Sequence, residues 1–433
     1  MTIFSVQQDS SLKHAIHSSL AIFLSVAAFI VPASSVNYPS GLYTTAVFLV
    51  ISSFLFLFYR TESELFSRLE KIMLVSWLVY PVVTALDLWF RVGWIWIEFQ
   101  EPSRFLLVLP IFLMARRVGF SQDMLKWGVF VGALASAAWG YYQKIHLGVY
   151  RAEGGTSGLI AIFGDIGLML GVLSVALFQP QWRLQKRWLL LALFGLFCGV
   201  FASLASGTKG GWISMPVLAW VMVDLMDNPT YKKRFAVLIG FVLAAFLVWF
   251  FVPFISARVN LIPVAIYEYF VNGQIMASSS AGMRLALWHL AAVIFWENPL
   301  FGTGPGSFNI QKVALAEKGM FPSIAILRDM GPHSQFLNSL YEQGVVGALM
   351  VYSIYVAFIF HCRSYLTNNK ALATSGILLA VGFMDFGIAE VIWDINNAGV
   401  FFTLMMVLIA GKLSFDRSQV SLNPSLAKRR ISD

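Results

Sequence analysis

Charge and cysteine are both scarce in this sequence, and each scarcity excludes a class of protein. Only 12% of the 433 residues are charged, about half the share of a soluble globular domain. The two cysteines, Cys198 and Cys362, fall on separate apolar runs near opposite faces of the predicted membrane domain. A disulfide between them is therefore not expected, and no zinc-binding spacing exists.

Two motifs of soluble transferases are also missing. No Asp-x-Asp motif occurs, which argues against a metal-dependent transferase. A GxGxxG motif is absent too, so the sequence gives no sign of a bound nucleotide. The formal charge of +8 is spread over short loops, which does not suggest a nucleic-acid partner. We therefore expect neither a cofactor nor a metal.

Long apolar runs dominate what is present. The chain is 58% hydrophobic and 15% aromatic, with a mean hydropathy of +0.73. Runs of about 18 apolar residues predict membrane-spanning helices. The sequence therefore predicts an all-α polytopic membrane protein with about twelve transmembrane helices. The predicted spans are 14–32, 41–58, 72–90, 103–115, 125–145, 157–178, 188–205, 211–226, 235–253, 340–361, 371–389 and 397–411.

The distribution of lysine and arginine predicts the orientation of these spans. If the N-terminus is cytoplasmic, 20 of the 30 basic residues fall on the cytoplasmic side. Of the other ten, five lie in one long segment, where the positive-inside rule has little force. The short loops therefore predict that both termini are cytoplasmic.

The long segment lies between spans nine and ten, on the predicted outer face. It suggests a division into spans one to nine (1–253), a loop domain (254–339), spans ten to twelve (340–411) and a cytoplasmic tail (412–433). The pattern at 283–296 predicts an amphipathic helix that ends at Glu297-Asn298-Pro299. A long ordered loop between packed helices is typically functional.

Five basic residues lie on the predicted outer face outside this loop. Arg91 and Arg104 flank an aromatic loop, and Lys144 ends span five; we interpret all three as interfacial anchors. Arg151 opens a glycine-rich turn, where a cation and free backbone amides favour an anion, although Glu153 is an alternative ion-pair partner.

The fifth cation, Lys209, lies between glycines in a short break at 206–211. Flanking glycines let a large anionic group approach both the backbone and the ammonium, so we favour an anion site over a snorkelling lysine. Within the long loop, Arg284 precedes Trp288 by one helical turn. It is placed either for a cation–π contact or for binding phosphate with two hydrogen bonds. Arg258 is a secondary candidate of the same kind.

Acidic residues interrupt the apolar runs at three positions, each in the outer half of its span. A carboxylate within a membrane is costly unless it faces water or the protein interior. Taken singly, each is best explained by an interhelical hydrogen bond; together they suggest a polar cavity on the outer face. The three are Asp87, Asp165 and Asp385, and Glu390 and Asp394 follow in the last outer loop.

His333 is the strongest candidate for chemistry. Pro332 should end the preceding element, and His333 and Ser334 should open a helix in which Leu337 and Tyr341 share one face. An imidazole can accept a hydroxyl proton near neutral pH. We predict that Asn338 and Glu342, one and two turns further on, orient the ring. A capping or interfacial role is the alternative for a lone histidine.

The pattern of these residues resembles the O-antigen ligase and polymerase family. Lys209 stands where that family more often has arginine, and Ser334 where asparagine is commoner. The matching motifs are Arg-Ala-x-Gly at 151–154, Ser-Gly-Thr-Lys-Gly-Gly at 206–211, Arg-x-x-x-Trp at 284–288, Asn-Pro-Leu-x-Gly-x-Gly-x-x-x-Phe at 298–308, and a His-to-Gly run at 333–347.

The resemblance implies a membrane-embedded glycosyltransferase of the C type with a long periplasmic loop that contains helices. It implies transfer of polysaccharide from undecaprenyl diphosphate to lipid A–core on the periplasmic face of the bacterial inner membrane. The reaction would be metal-independent and inverting. Carried over by motif, His333 would activate the acceptor hydroxyl. Arg151, Lys209 and Arg284 would hold the diphosphate, with Arg258, Asn338, Asp385 and Glu390 as secondary candidates.

Two other functions stay open. An O-antigen polymerase or a protein O-oligosaccharyltransferase shares these motifs. A transporter or flippase of lipid-linked sugars belongs to another class, and would show inverted repeats and broken helices at mid-membrane. No such repeat is present, and the charged positions crowd one face.

Overall fold

The prediction of an all-α polytopic membrane protein is confirmed. The computed structural model describes residues 2–57, 65–225, 230–276, 278–319 and 331–422. Every regular element within these ranges is helical. The helices are α1 (Thr2–Ser34), α2 (Pro39–Leu57), α3 (Arg68–Asp87), α4 (Trp96–Val118), α5 (Gln122–Ile145), α6 (Ile160–Leu184), α7 (Lys186–Ser206), α8 (Lys209–Asp224), α9 (Tyr231–Phe251), α10 (Pro253–Phe270), α11 (Ser280–Glu297), α12 (Phe308–Glu317), α13 (Gln335–Arg363), α14 (Lys370–Ala389) and α15 (Asn396–Leu422).

Each of the twelve predicted spans corresponds to one helix. In the described part of the chain, nine helices are long and apolar enough to cross a membrane. The other three predicted spans fall on α4, α5 and α8. Helix α4 carries charged residues, but Arg116 pairs with buried Glu70 at 3.0 Å inside the bundle. Its low hydropathy therefore reflects charges that other helices satisfy.

The centre of the bundle is formed by α6, α14 and α15, whose apolar segments are mostly buried. Helix α9 lies at the edge, and none of its residues is buried. In a membrane its apolar surface would face lipid. The polar positions of interest lie together at one end of the bundle, where α6, α8 and α13 begin and α7 and α14 end.

The long segment between α9 and α13 holds more structure than predicted. Its expected helix is α11, which begins three residues earlier and ends one residue later than 283–296. The helices α10 and α12 were not predicted, because proline and polar residues interrupt their apolar patterns. The division of the chain into four domains stays a prediction.

Two glycines join this segment to α13. Gly344 has φ +65° and interrupts the helical geometry of α13. A methyl group there would lie 2.3 Å from the carbonyl group of Leu300, and one on Gly302 would lie 2.4 Å from the carbonyl carbon of Glu342. No side chain fits at either position, so the 298–306 turn packs backbone to backbone against α13.

Two predicted anchors bind loops instead. Arg91 forms an ion pair with Asp87 and donates to the carbonyl oxygens of Phe301 and Gly302 at 2.8 and 2.9 Å. Arg104 donates to the carbonyl oxygen of Trp393. The interpretation of both as simple interfacial anchors was therefore wrong. Lys144, the third, donates to the carbonyl oxygen of Tyr150 at 2.7 Å and lies over the Phe254 ring.

Candidate functional site

His333 lies one residue before the N-cap of α13, close to its predicted position at the helix start. Ser334 is the N-cap, and its hydroxyl accepts from the amide of Leu337 at 3.5 Å. His333 has φ +47°, a left-handed conformation that is uncommon for residues other than glycine. Its side chain remains 30% exposed. A residue other than glycine in this conformation is strained, and such positions are typically functional.

The partner of the ring is Glu390, at the C-terminal end of α14. Nδ1 of His333 lies 2.9 Å from Oε2 of Glu390. If Nδ1 carries the proton, it donates to the carboxylate, and Nε2 is left as the acceptor. Nε2 has no hydrogen-bond partner among the described residues. In that tautomer, Nε2 is the nitrogen available to accept a proton.

Glu390 is itself held from two directions. Its other oxygen, Oε1, accepts from Nη2 of Arg284 at 2.5 Å. Its backbone carbonyl accepts from the amide of Gln335 at 3.1 Å, and Oε1 of Gln335 accepts from the amide of Trp393 at 3.0 Å. The carboxylate thus bridges Arg284 and His333 and has little freedom to move.

Two further guanidinium groups adjoin Arg284. Burial, and then the neighbouring charges of Arg258 and Arg284, lower the pKa of Arg151 to about 10. Burial also lowers the pKa of Arg258, and Arg284 adds to this effect. Three clustered cations with one carboxylate leave an excess of positive charge, which is a favourable environment for a polyanion.

The 206–209 turn lies against this cluster. Nε of Arg151 donates to the carbonyl oxygen of Ser206 at 2.7 Å. The alternative, an ion pair with Glu153, is not formed among the described residues. Methyl groups built on Gly207 and Gly210 would lie 3.6 Å from Nη1 of Arg258 and 3.3 Å from Cβ of Ala389. Lys209 is the first residue of α8. Its side chain lies outside the described residues, so its role as an anion ligand stays a prediction.

Two secondary candidates have other surroundings than predicted. Asn338 donates to Glu342 at 3.0 Å and accepts from the hydroxyl of Tyr341 at 3.0 Å. The prediction that Asn338 and Glu342 orient the His333 ring is therefore wrong, since Glu390 does so. Asp385 lines an apolar cavity of about 550 Å³ beside Ser334 and Trp288.

A second apolar cavity has a volume of about 770 Å³ and is lined mainly by α6 to α9, with Ile255 and Val259 of α10. Val259 follows Arg258 directly in the sequence, so this cavity comes close to the arginine cluster.

A separate acidic group lies at the start of α4. The hydroxyl of Tyr80 donates to Glu101 at 2.6 Å, and the amide of Gly306 donates to Glu342 at 3.2 Å. Burial, and then the charge of Asp394, raise the pKa of Glu98. Within the described ranges, no group of three or more histidine, cysteine, aspartate or glutamate side chains could hold a metal ion.

The fold and this site define a multi-pass helical membrane protein with a cationic site and a carboxylate-bound histidine at one end of its bundle. Comparison with known proteins finds a match to a family: residues 194–352 match the family model described as O-antigen ligase (Wzy_C). The match confirms the resemblance seen in the motifs. It contains Lys209, Arg258, Arg284 and His333, whereas Arg151 and Glu390 lie outside it.

The chain is also similar to a protein of Haemophilus influenzae that is described as uncharacterized. The two are 23% identical over 350 residues, which cover 79% of this chain and 86% of the relative. The likeness thus extends well beyond the matched family region, but it assigns no substrate.

Proposed function

We propose that this protein is an O-antigen ligase, which transfers polysaccharide from undecaprenyl diphosphate to lipid A–core. The observation that carries the proposal is the contact series from Arg284 through Glu390 to His333, beside a cluster of arginines. The series links a general base to cations suited to a diphosphate. In this proposal the site faces the periplasm, and both termini lie on the cytoplasmic side of the inner membrane.

The chemistry follows from the orientation of the ring. Nε2 of His333 takes the proton of the acceptor hydroxyl, and the oxygen attacks the anomeric carbon from the face opposite the diphosphate. The bond from that carbon to the phosphate oxygen breaks, and its electron pair leaves on undecaprenyl diphosphate. The anomeric configuration is therefore inverted. Glu390 stabilises the imidazolium that forms, as a carboxylate does for a histidine base in other enzymes.

The cations act on the leaving group. Negative charge grows on the diphosphate as the bond breaks, and fixed cations in a partly dry site stabilise that charge more than water does. Arg284 and Arg151 contribute guanidinium groups that can bind phosphate oxygens in pairs. Lys209 and Arg258 complete the set, and no step of this reaction requires a metal.

The apolar cavities support a substrate carried by lipid. Both adjoin the polar site, one at Ser334 and the other at the Arg258 side. Hydrocarbon near the reacting centre is expected if the diphosphate is attached to a polyprenyl chain. Soluble nucleotide sugars would need no such surface.

One experiment separates the ligase from its alternatives. Purified protein is incubated with lipid-linked polymer and lipid A–core in the presence of a chelator, and the joined product is measured. A polymerase would instead lengthen lipid-linked repeat units, and a protein O-oligosaccharyltransferase would modify an acceptor protein. A flippase would move lipid-linked sugar across vesicles without forming any glycosidic bond.

A further inference from the structure

The mechanism makes no use of Asp165, although this carboxyl is one of the most enclosed groups near the site. It lies on the second turn of α6 and is only 2% exposed. Neither of its oxygens has a hydrogen-bond partner among the described residues. A buried carboxyl without such a partner is costly unless other polar groups compensate it.

Asp165 packs against the backbone at the start of α8. A methyl group on Gly211 would lie 2.8 Å from Oδ1, and one on Gly210 would lie 3.9 Å from Oδ2. Gly164, the preceding residue, packs under the same turn, because a methyl group there would lie 2.7 Å from Oγ1 of Thr208. The two helices therefore approach closely here, and a methyl group at residue 164 or 211 would displace the side chains that it meets.

The groups that act on the Asp165 carboxyl are the backbone amide of Gly211 and the charged side chains of Arg284, Glu390 and Asp385. Asp165 is thus within electrostatic reach of the cationic site.

The start of α8 lacks a cap of its own. Thr208 is the N-cap residue, yet its side chain makes no capping hydrogen bond; its hydroxyl contacts Ser206 at 2.7 Å instead. The first amides of a helix have no partner within the helix and need an acceptor from elsewhere. The carboxyl group of Asp165 packs against them at Gly211.

We propose that Asp165 is a positioning residue that caps α8 from the neighbouring helix. It holds the backbone of residues 209–211 in place, and thereby fixes the position of the Lys209 backbone relative to Arg151 and Arg284. The consequence for the donor diphosphate rests on the proposed function; the capping itself does not.

The test uses the full-length protein and two measurements. Hydrogen exchange of the amides at 209–214 reports on the cap without any substrate. The dissociation constant for undecaprenyl diphosphate in detergent micelles reports on the positioned cation. The variants are Asp165→Ala, Asp165→Asn, Gly211→Ala and Asp165→Ala with Gly211→Ala. Asp224→Ala, at the other end of α8, is the matched control.

We expect Asp165→Ala to speed exchange at 209–214 and to weaken donor binding, each about fivefold, as for the loss of a helix cap. Asp165→Asn should retain most of the protection from exchange and most of the donor affinity, because its carbonyl oxygen still accepts a hydrogen bond. The midpoint of the pH–rate profile should not move in either variant, since His333 is held by Glu390. If Asp165 served only general stability, Asp165→Ala would also change exchange around Asp224, at the other end of α8.

The double variant tests the contact. The added methyl of Gly211→Ala collides with Asp165, so removing the carboxyl should relieve it. The changes in exchange rate and in donor affinity in the double variant should therefore be smaller than the product of the changes in the two single variants. Multiplicative effects, or unchanged exchange at 209–214 in Asp165→Ala, would overturn the capping role. If Asp165→Ala does not fold, Asp165→Ser, which also removes the atom that collides with the added methyl, is compared alone and together with Gly211→Ala. If the wild-type protein did not bind the donor, the proposed function would be contradicted. The capping role of Asp165 would then be tested by the hydrogen-exchange result alone.

Discussion

Oε2 of Glu390 lies 2.9 Å from Nδ1 of His333, although the two residues are 57 positions apart in the sequence. The carboxylate comes from the end of α14, and the imidazole from the turn before α13. Arg284 reaches the same carboxylate from α11, across 106 positions. Three separate elements thus meet at one carboxyl group, and the predictions below depend on this meeting.

Replacing His333 should abolish transfer. His333→Asn is the preferred variant, because asparagine tolerates the left-handed conformation at φ +47° better than alanine does. Loss of a general base lowers turnover by about 10²- to 10⁴-fold. Turnover is measured with saturating donor, and size-exclusion elution checks the fold. Normal turnover by a folded variant would remove His333 from the mechanism.

Replacing Glu390 should lower turnover more than it weakens donor binding. Glu390→Gln keeps the shape of the side chain but removes the charge that stabilises the imidazolium, and we expect a loss of about 10- to 100-fold in kcat. Glu268→Gln is the control, since that exposed carboxylate bonds only to Asn272 among the described groups. Equal losses in kcat for the two variants would contradict the role of Glu390.

Donor affinity should fall in alkaline solution. The pKa of Arg151 is lowered to about 10, so its charge is present below that pH and is lost as pH rises through it. Arg258→Ala removes a neighbouring like charge and should move the midpoint upward. The measurement is undecaprenyl diphosphate binding between pH 8 and 11, with Arg187→Ala as a control on another loop. A midpoint that stays fixed in Arg258→Ala would show that the two arginines are not coupled.

The thermal stability of the protein should decrease with rising pH in the acid range. The pKa of Glu98 is raised by burial and by Asp394. Above the ordinary glutamate pKa of about 4.3, the unfolded chain loses its proton before the folded chain does, and stability then falls until the folded carboxyl also ionises. Asp394→Asn should flatten this decline in melting temperature between pH 4 and 7. An unchanged slope would refute the coupling of the two carboxyls.

Much of the architecture could be predicted from the sequence, because a membrane-spanning helix is encoded locally. The twelve apolar runs all became helices, and the start of α13 at Pro332-His333-Ser334 follows from backbone chemistry alone. The clustering of Arg151, Arg258 and Arg284 at one end also agrees with the topology, since each adjoins the same end of its neighbouring spans.

The pairing of side chains could not be predicted in the same way. Asn338 and Glu342 are close to His333 in sequence, so they were the natural partners, yet both face Tyr341 and the 302–306 turn. Arg91 and Arg104 looked like interfacial anchors, because nothing local reveals the loops that they bind. Contacts between residues more than fifty positions apart depend on how helices pack, and hydropathy carries no information on that.

The backbone contact between the 298–306 turn and α13, at Gly302 and Gly344, has a consequence for identifying distant relatives. It joins the segment that follows Arg284 to the helix that follows His333. Neither the Arg284 motif nor the His333 motif can therefore reach the site without the other. A chain that keeps the histidine but carries a bulky residue at either glycine should be unable to assemble the pair. Searches for functional homologues should therefore require both glycines together, rather than the histidine alone.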